Sequence, residues 1–280
     1  MNDRPIKDLL RAGAGVDLNA IDTSGTPGFS GDKHDGEKAL EVGAAQLADL
    51  QERLFAASRT GGSAQSVLLV LQAMDTAGKG GIVKHVVGSV DPQGVMLHAF
   101  KRPTPEEDKH DFLWRVRPHL PGPGMLAVFD RSHYEEVLIH KVRHLSTPEQ
   151  IEERYGQITA FENEVIAAGT TIVKVMLHIS AEEQKARLGE RLAQPEKYWK
   201  YNPGDIDERE FWPAYMDAYR IAIERTSTDA APWYVVPADR KWYARLAVQH
   251  LLLDALSGLH LEWPPANFDV AVEKSRLAAS

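Results

Sequence analysis

Val67-Leu-Leu-Val-Leu-Gln-Ala-Met-Asp-Thr-Ala-Gly-Lys-Gly-Gly81 decides how the rest of the chain is read. A continuous apolar run of this length is typical of a strand buried on both faces of a parallel sheet. The run passes into a glycine loop with a single lysine, Lys79, and then into a helix expected from Ile82. Strand, glycine loop and helix in that order resemble a P-loop, in which backbone N–H groups and one lysine surround phosphate oxygens. The pattern departs from the standard one in two places. Ala73 stands where the first glycine belongs, and Gly80 replaces the Ser/Thr that usually holds magnesium. Another oxygen ligand must then serve the metal, and Asp75, inside the loop, is one candidate.

The second candidate lies about fifty residues on, where Met125-Leu-Ala-Val-Phe129 reads as another buried strand stopped by Asp130. Both aspartates would sit at the carboxyl ends of strands, where doubly wound sheets bind ligands. Outward from this pair, helix and strand alternate. Leu40, Leu47, Leu50 and Leu54 recur at helical spacing over Glu37–Arg59, and Val95–Phe100 is strand-like. A helix over about 148–168 leads to a strand at Thr171–Ile179, and Ser180-Ala-Glu-Glu183 fits a capping box opening the next helix. Residues 195–209 are polar and proline-punctuated, and read as mobile. Helices at about 205–225 and 240–256 flank a last strand at Trp233–Pro237. The alternation predicts a three-layer α/β/α fold with a parallel sheet. Residues 1–36, rich in Gly, Asp, Ser and Thr, read as an extended N-terminal arm; 37–265 form the main domain, and 266–280 a C-terminal tail.

Composition narrows the chemistry. The 280 residues contain no cysteine, which excludes disulfides and thiolate metal sites and favours hard cations bound by oxygen. The formal net charge is −8, which argues against nucleic acid and anionic membranes as partners. No apolar stretch approaches a membrane span and Met1–Pro5 lacks a signal-like core, so a cytoplasmic protein is expected. Between Lys79 and His144 the balance is +2 and 7 of the 11 histidines fall there, so this window could hold an anionic substrate. Scattered charges on solvated helix faces would give the same count.

Arg131 follows Asp130, and Arg187 and Arg191 sit four apart on the helix after Ser180. Phosphoryl transfer calls for such cations, since it depends on positioning and charge neutralisation more than on covalent help. An i,i+4 pair is equally a common solvated helix face. Lys101-Arg102 could grip a polyanion or occupy an exposed turn. His133 is assigned no catalytic role, because phosphates need little base help.

Met74–Gly81, Phe100-Lys-Arg-Pro-Thr104, Phe129-Asp-Arg-Ser-His-Tyr-Glu135, His178–Gln184 with Arg187 and Arg191, Lys200 after Trp199, and Ala231-Pro-Trp233 occur in the order found in the polyphosphate kinase 2 family. The resemblance covers roughly residues 37–265. It implies a P-loop kinase fold with a helical lid over about 181–212. It also implies phosphoryl exchange between inorganic polyphosphate and adenine or guanine nucleotides, a requirement for Mg2+ or Mn2+, and a homo-oligomer. Carried over, Asp75 and Asp130 hold the metal, while Lys79 and Arg131 neutralise the transferring group. Arg187 and Arg191 act from the lid. Gly78, Gly80, Gly81, Lys84, Lys101, Arg102 and Lys200 bind phosphates. Glu135 resembles the subgroup accepting both AMP and ADP, whereas Gly80 resembles the ADP-specific one.

Two other readings share the loop. An ATP-dependent nucleotide kinase would run without polyphosphate. A nucleotide-binding switch would read guanine through an Asn/Thr-Lys-x-Asp motif after a strand, but Asp108-Lys-His-Asp111 follows Pro105-Glu-Glu and no strand.

Overall fold

The computed structural model describes residues 4–61 and 63–280. Its elements in chain order are α1 (Ile6–Leu10), β1 (Arg11–Ala12), α2 (Lys33–Arg59), β2 (Ser66–Ala73), α3 (Lys79–His85), β3 (Val95–Ala99) and β4 (Leu126–Asp130). There follow α4 (Ile139–Val142), α5 (Pro148–Ala167), β5 (Thr170–His178), α6 (Ala181–Ala193), α7 (Gly204–Asp207), α8 (Trp212–Thr226), β6 (Trp233–Pro237), α9 (Lys241–Ser257) and α10 (Val270–Ala278). Short 3-10 turns connect several of them.

The six strands lie in the order β1-β6-β5-β2-β4-β3. β2, every residue of which is buried, is central, with β4 on one side and β5 on the other, both parallel to it. After β4 the chain crosses from one side of β2 to the other. Such a switch of direction opens a crevice at the strand carboxyl ends. Helices cover the sheet, as its apolar strands require.

The sheet is not wholly parallel. β1, from the N-terminal arm, pairs antiparallel with β6. The arm is therefore docked rather than merely extended. Leu10 and Leu18 are buried, the Tyr243 hydroxyl donates to the Pro27 carbonyl at 2.7 Å, and Thr23 Oγ1 donates to Asp239 at 2.7 Å. These contacts join residues far apart in sequence, so no local periodicity announces them. α2 also begins four residues before the expected Glu37, because Asp32 and Asp35 form a reciprocal capping box ahead of any apolar residue. The expected helix at 205–225 is broken into α7, a 3-10 turn over 208–211, and α8, with Pro213 in the first turn of α8. Residues 195–200, read as mobile, form a 3-10 turn. The C-terminal tail ends in α10, none of whose residues is buried.

α2 lies along α9 through two glycines one heptad apart. A Cβ at Gly36 would meet the Trp242 ring at 2.3 Å, and one at Gly43 would meet the Gln249 amide oxygen at 2.2 Å. Close approach of the helices depends on the missing side chains. Gly36→Ala should lower stability by about 1–3 kcal/mol through overpacking, despite alanine's better helix propensity. A thermal or urea melt equal to or above the parent's would refute that account.

Candidate active site

β2 ends at Ala73, and the chain must turn sharply to enter α3. It does so with Thr76 at φ +65° and Gly78 at φ +122°, the latter a conformation for which only glycine is suited. α3 begins directly at Lys79, three residues earlier than expected, so the lysine and Gly80 lie in its first turn, where amides lack helical acceptors. Lys79 Nζ folds back to donate to the Ala73 carbonyl at 3.3 Å. Phosphate oxygens suit a loop of this shape.

β4 runs beside β2 with Asp130 opposite Leu71. Arg131 then takes a left-handed φ of +63°, its amide donating to the Leu71 carbonyl at 3.0 Å. That turn sends the guanidinium across the strand tips to Asp75, where Nη2 donates to Oδ1 at 3.0 Å. Burial opposes the charge of Arg131, but Glu135, Asp75 and Asp130 outweigh it and hold the guanidinium above its ordinary range. Burial pushes the Glu135 carboxyl up, and Arg131 and Lys79 pull it back. With its nitrogen turned to Glu135 Oε1 and its oxygen to Ser132 Oγ, both at 3.0 Å, the Gln72 amide ties this segment to β2. Asp75, Lys79, Asp130, Arg131 and Glu135 thus act electrostatically as one cluster.

Arg187 is placed differently from the expectation of a lid cation. It is buried, and all five of its N–H donors are engaged: Nε with Glu183, Nη1 with the Thr76 and Ala77 carbonyls, Nη2 with the Ala238 and Asp239 carbonyls. This arginine braces the glycine loop. Glu183, drawn to Arg187, does not return to the Ser180 amide; Asp239 accepts from that amide instead at 2.8 Å, so only half of the expected capping box forms. Arg191, four residues on, is partly exposed and donates to the Lys200 carbonyl at 2.7 Å and toward Asp205 at 3.4 Å.

Asp205, at the start of α7, was not singled out from the sequence. Its carboxyl is pushed up to about 6, first by burial and then by the charge of Asp75, against Arg191, Arg131 and Lys79. It therefore belongs to the same electrostatic neighbourhood, although 130 positions separate it from Asp75. Its signal in the sequence, one acid among several in Gly204-Asp-Ile-Asp-Glu-Arg-Glu210, could not distinguish it.

Two cavities flank the cluster, and their linings differ. One, of about 350 Å3, is lined by Lys101, Arg102, Arg115, Arg131, Glu135 and Arg143 together with Phe100, Phe112, Val116, Ile139 and Leu145. His140, in the same wall, is held down to about 4 by burial and by Arg154, and is neutral at physiological pH. The other, of about 190 Å3, is reached past Gly78 and Gly81 and gathers Arg187, Arg191, Lys197, Lys200, Lys241 and Arg245 against the single acid Glu190. Lys84 lines neither cavity and is exposed on α3. Lys241 and Arg245 come from α9.

For a metal, Asp75 and Asp130 offer two carboxylates at adjoining strand tips. Among the described residues no three His, Cys, Asp or Glu side chains are grouped as a metal cage. Such a donor set fits Mg2+, which is usually held by one or two carboxylates with waters and substrate phosphates. No helix of the described residues is long and apolar enough to cross a membrane.

The family model described as Polyphosphate kinase 2 matches residues 30–262. An AMP/ADP-polyphosphate phosphotransferase of Meiothermus ruber is 44% identical over 89% of this chain and 91% of its own length. An ADP-polyphosphate phosphotransferase of Rhodopseudomonas palustris is 40% identical over 91% of each. The crystal structure of Polyphosphate Kinase 2 from Arthrobacter aurescens TC1 superposes with a TM-score of 0.96 at 56% identity, covering 99% of this chain and 98% of that one. The glycine loop, the aspartate-tipped strands and these matches together place the chain in the polyphosphate kinase 2 family, and it is a phosphotransferase.

Proposed function

We propose that the protein moves a terminal phosphoryl group between inorganic polyphosphate and AMP or ADP with Mg2+, and that the two cavities divide the substrates. The contrast in their linings carries this reading. A nucleotide has an apolar base and a charged tail, which suits the larger cavity with its aromatic and aliphatic wall and its rim of cations. Polyphosphate presents only repeated negative charge. The smaller cavity, with six cations against one carboxylate, suits it.

Between the cavities, Lys79 and Arg131 face the position where the transferring group would pass. An acceptor phosphate oxygen is already ionised and needs no general base, so the side chains have to align the two phosphates and neutralise charge. A metal ion held by Asp75 and Asp130 would supply further neutralisation of phosphate oxygens. Arg187 acts on this chemistry indirectly, by fixing the loop carbonyls. Residues 181–212 bring Asp205 beside the cluster and Lys197 and Lys200 to the wall of the smaller cavity, where they would help exclude water, which would otherwise compete as acceptor. Since one phosphoanhydride replaces another, the exchange runs in either direction.

Asp75→Asn, Asp130→Asn and Lys79→Met should each reduce turnover about 100-fold or more with little change in melting temperature, as expected for preorganised charges at a transferring phosphoryl group. A near-parental rate in any of the three would count against the site. Incubation with polyphosphate, Mg2+ and either AMP or ADP should yield ADP or ATP; no product from either nucleotide, or product formed equally without polyphosphate, would remove the reading.

Asp205 provides a pH test. Its folded carboxyl titrates near 6, above the ordinary 3.8, so the folded state binds the extra proton and the carboxyl's cost to stability grows as pH rises from about 4 to 6. Asp205→Asn should therefore melt higher than the parent at pH 7.5, with the difference shrinking toward pH 4. A difference independent of pH would show that the carboxyl is not held in this environment.

A further inference from the structure

β5 carries a lysine in the middle of an apolar strand. Lys174 is fully buried, and its ammonium makes three hydrogen bonds: to Glu162 Oε2 at 2.6 Å, to the Thr226 carbonyl at 2.8 Å and to the Tyr134 hydroxyl at 3.0 Å. Tyr134 in turn donates to Glu162 Oε1 at 2.7 Å, so the two side chains close a ring with the lysine. Trp233 Nε1 donates to Thr226 Oγ1, which lies 3.0 Å from the same phenol. Lys174, Glu162, Tyr134, Thr226 and Trp233 are all buried and line neither cavity; the neighbour that connects them to the larger one is His133, whose Nε2 lies 3.5 Å from Glu162 Oε1. A buried, ionised pair costs desolvation that a pair of apolar residues would avoid, so stability alone does not account for it.

Tyr134, however, sits in the segment that shapes the active site. Three residues before it is Arg131, held at a left-handed φ, and Glu135 follows it. Gln72 grips this segment from the side of β2, at Ser132 and Glu135. The phenol is a second anchor, reaching Glu162 on α5, Lys174 on β5 and Thr226 at the end of α8, while Ser132 Oγ accepts from the Tyr134 amide at 3.1 Å. With both grips in place the turn cannot relax toward an ordinary backbone conformation without withdrawing Arg131 from Asp75.

We infer that the buried Lys174–Glu162 pair, acting through the Tyr134 hydroxyl, positions Arg131 and Glu135 for phosphoryl transfer. Lys174, Glu162 and Tyr134 are positioning residues: they touch neither substrate cavity, and their effect reaches the reaction through the strained turn. This rests on the function proposed above, and parental turnover is therefore measured first. Its absence would overturn that function, whereas a loss confined to the variants concerns the positioning role alone.

Tyr134→Phe removes one hydroxyl and keeps the ring packing. It should lower kcat about tenfold or more, since small misplacements of reacting groups are costly. The KM for polyphosphate, bound on the far side of the glycine loop, should stay within about twofold, because interactions confined to the transition state alter kcat rather than uniform binding. Glu162→Met combined with Lys174→Met removes the ring without leaving an unpaired charge; it should melt near the parent or above it and show the same split. A folded Tyr134→Phe with parental kcat would overturn the proposal, as would a loss of activity tracking only the unfolded fraction. If the double variant fails to fold, Tyr134→Phe decides by itself.

Discussion

The contact between Arg131 and Asp75 joins two strand tips that would otherwise carry like charges toward each other. Asp130 ends β4 and Asp75 lies in the turn just past β2, two parallel strands held in register through a buried stretch. A guanidinium swung across by a left-handed residue offsets that repulsion. Substrate phosphates would add more negative charge to the same place, which Lys79 and the first turn of α3 are positioned to offset. Strain at Thr76 and Arg131 is concentrated within one small region, as expected where a backbone is held for function rather than for its own stability.

Bracing of this region comes from outside it. Arg187 gives four of its five donors to carbonyls of the glycine loop and of the segment after β6 and the fifth to Glu183 on its own helix, and so ties three separate parts of the chain together. Removing it would leave four carbonyls short of partners, two of them, of Ala77 and Ala238, in buried bonds, a cost of about 1–3 kcal/mol for each buried group that stays unsatisfied. Loss of activity on changing Arg187 would therefore come together with loss of stability, unlike a change at a solvated lid cation.

Much of the fold could be read locally. The buried runs at 67–71 and 125–129, and the glycine loop between strand and helix, needed only the chain's own periodicity. Where the reading fell short, the deciding contact was distant. β1 forms because β6 offers an edge over two hundred residues away, and Asp205 becomes part of the electrostatic cluster only once α7 is folded over the loop. Arg187 and Arg191 look equivalent at four-residue spacing, yet one faces the core and the other its edge. Lys174 is a different case. An ionisable side chain inside Thr171-Ile-Val-Lys-Val-Met-Leu177 must have a partner if the strand is buried, so the demand for one was visible although its identity as Glu162 was not.

Replacement of the usual loop Ser/Thr by Gly80 has a consequence for the whole site. A hydroxyl after the lysine would hold the ion from the helix side of the loop. Without it, the oxygen ligands offered by the chain are the two strand-tip carboxylates, and one of these, Asp75, is already shared with Arg131. A metal ion held there would share that carboxylate with the guanidinium. Any shift of the Arg131 turn would alter the charge available to the ion as well as the cation facing the phosphate, so the two forms of neutralisation rise and fall together. A coupling of this kind gives the backbone at Arg131 more influence over the reaction than its single side chain would have.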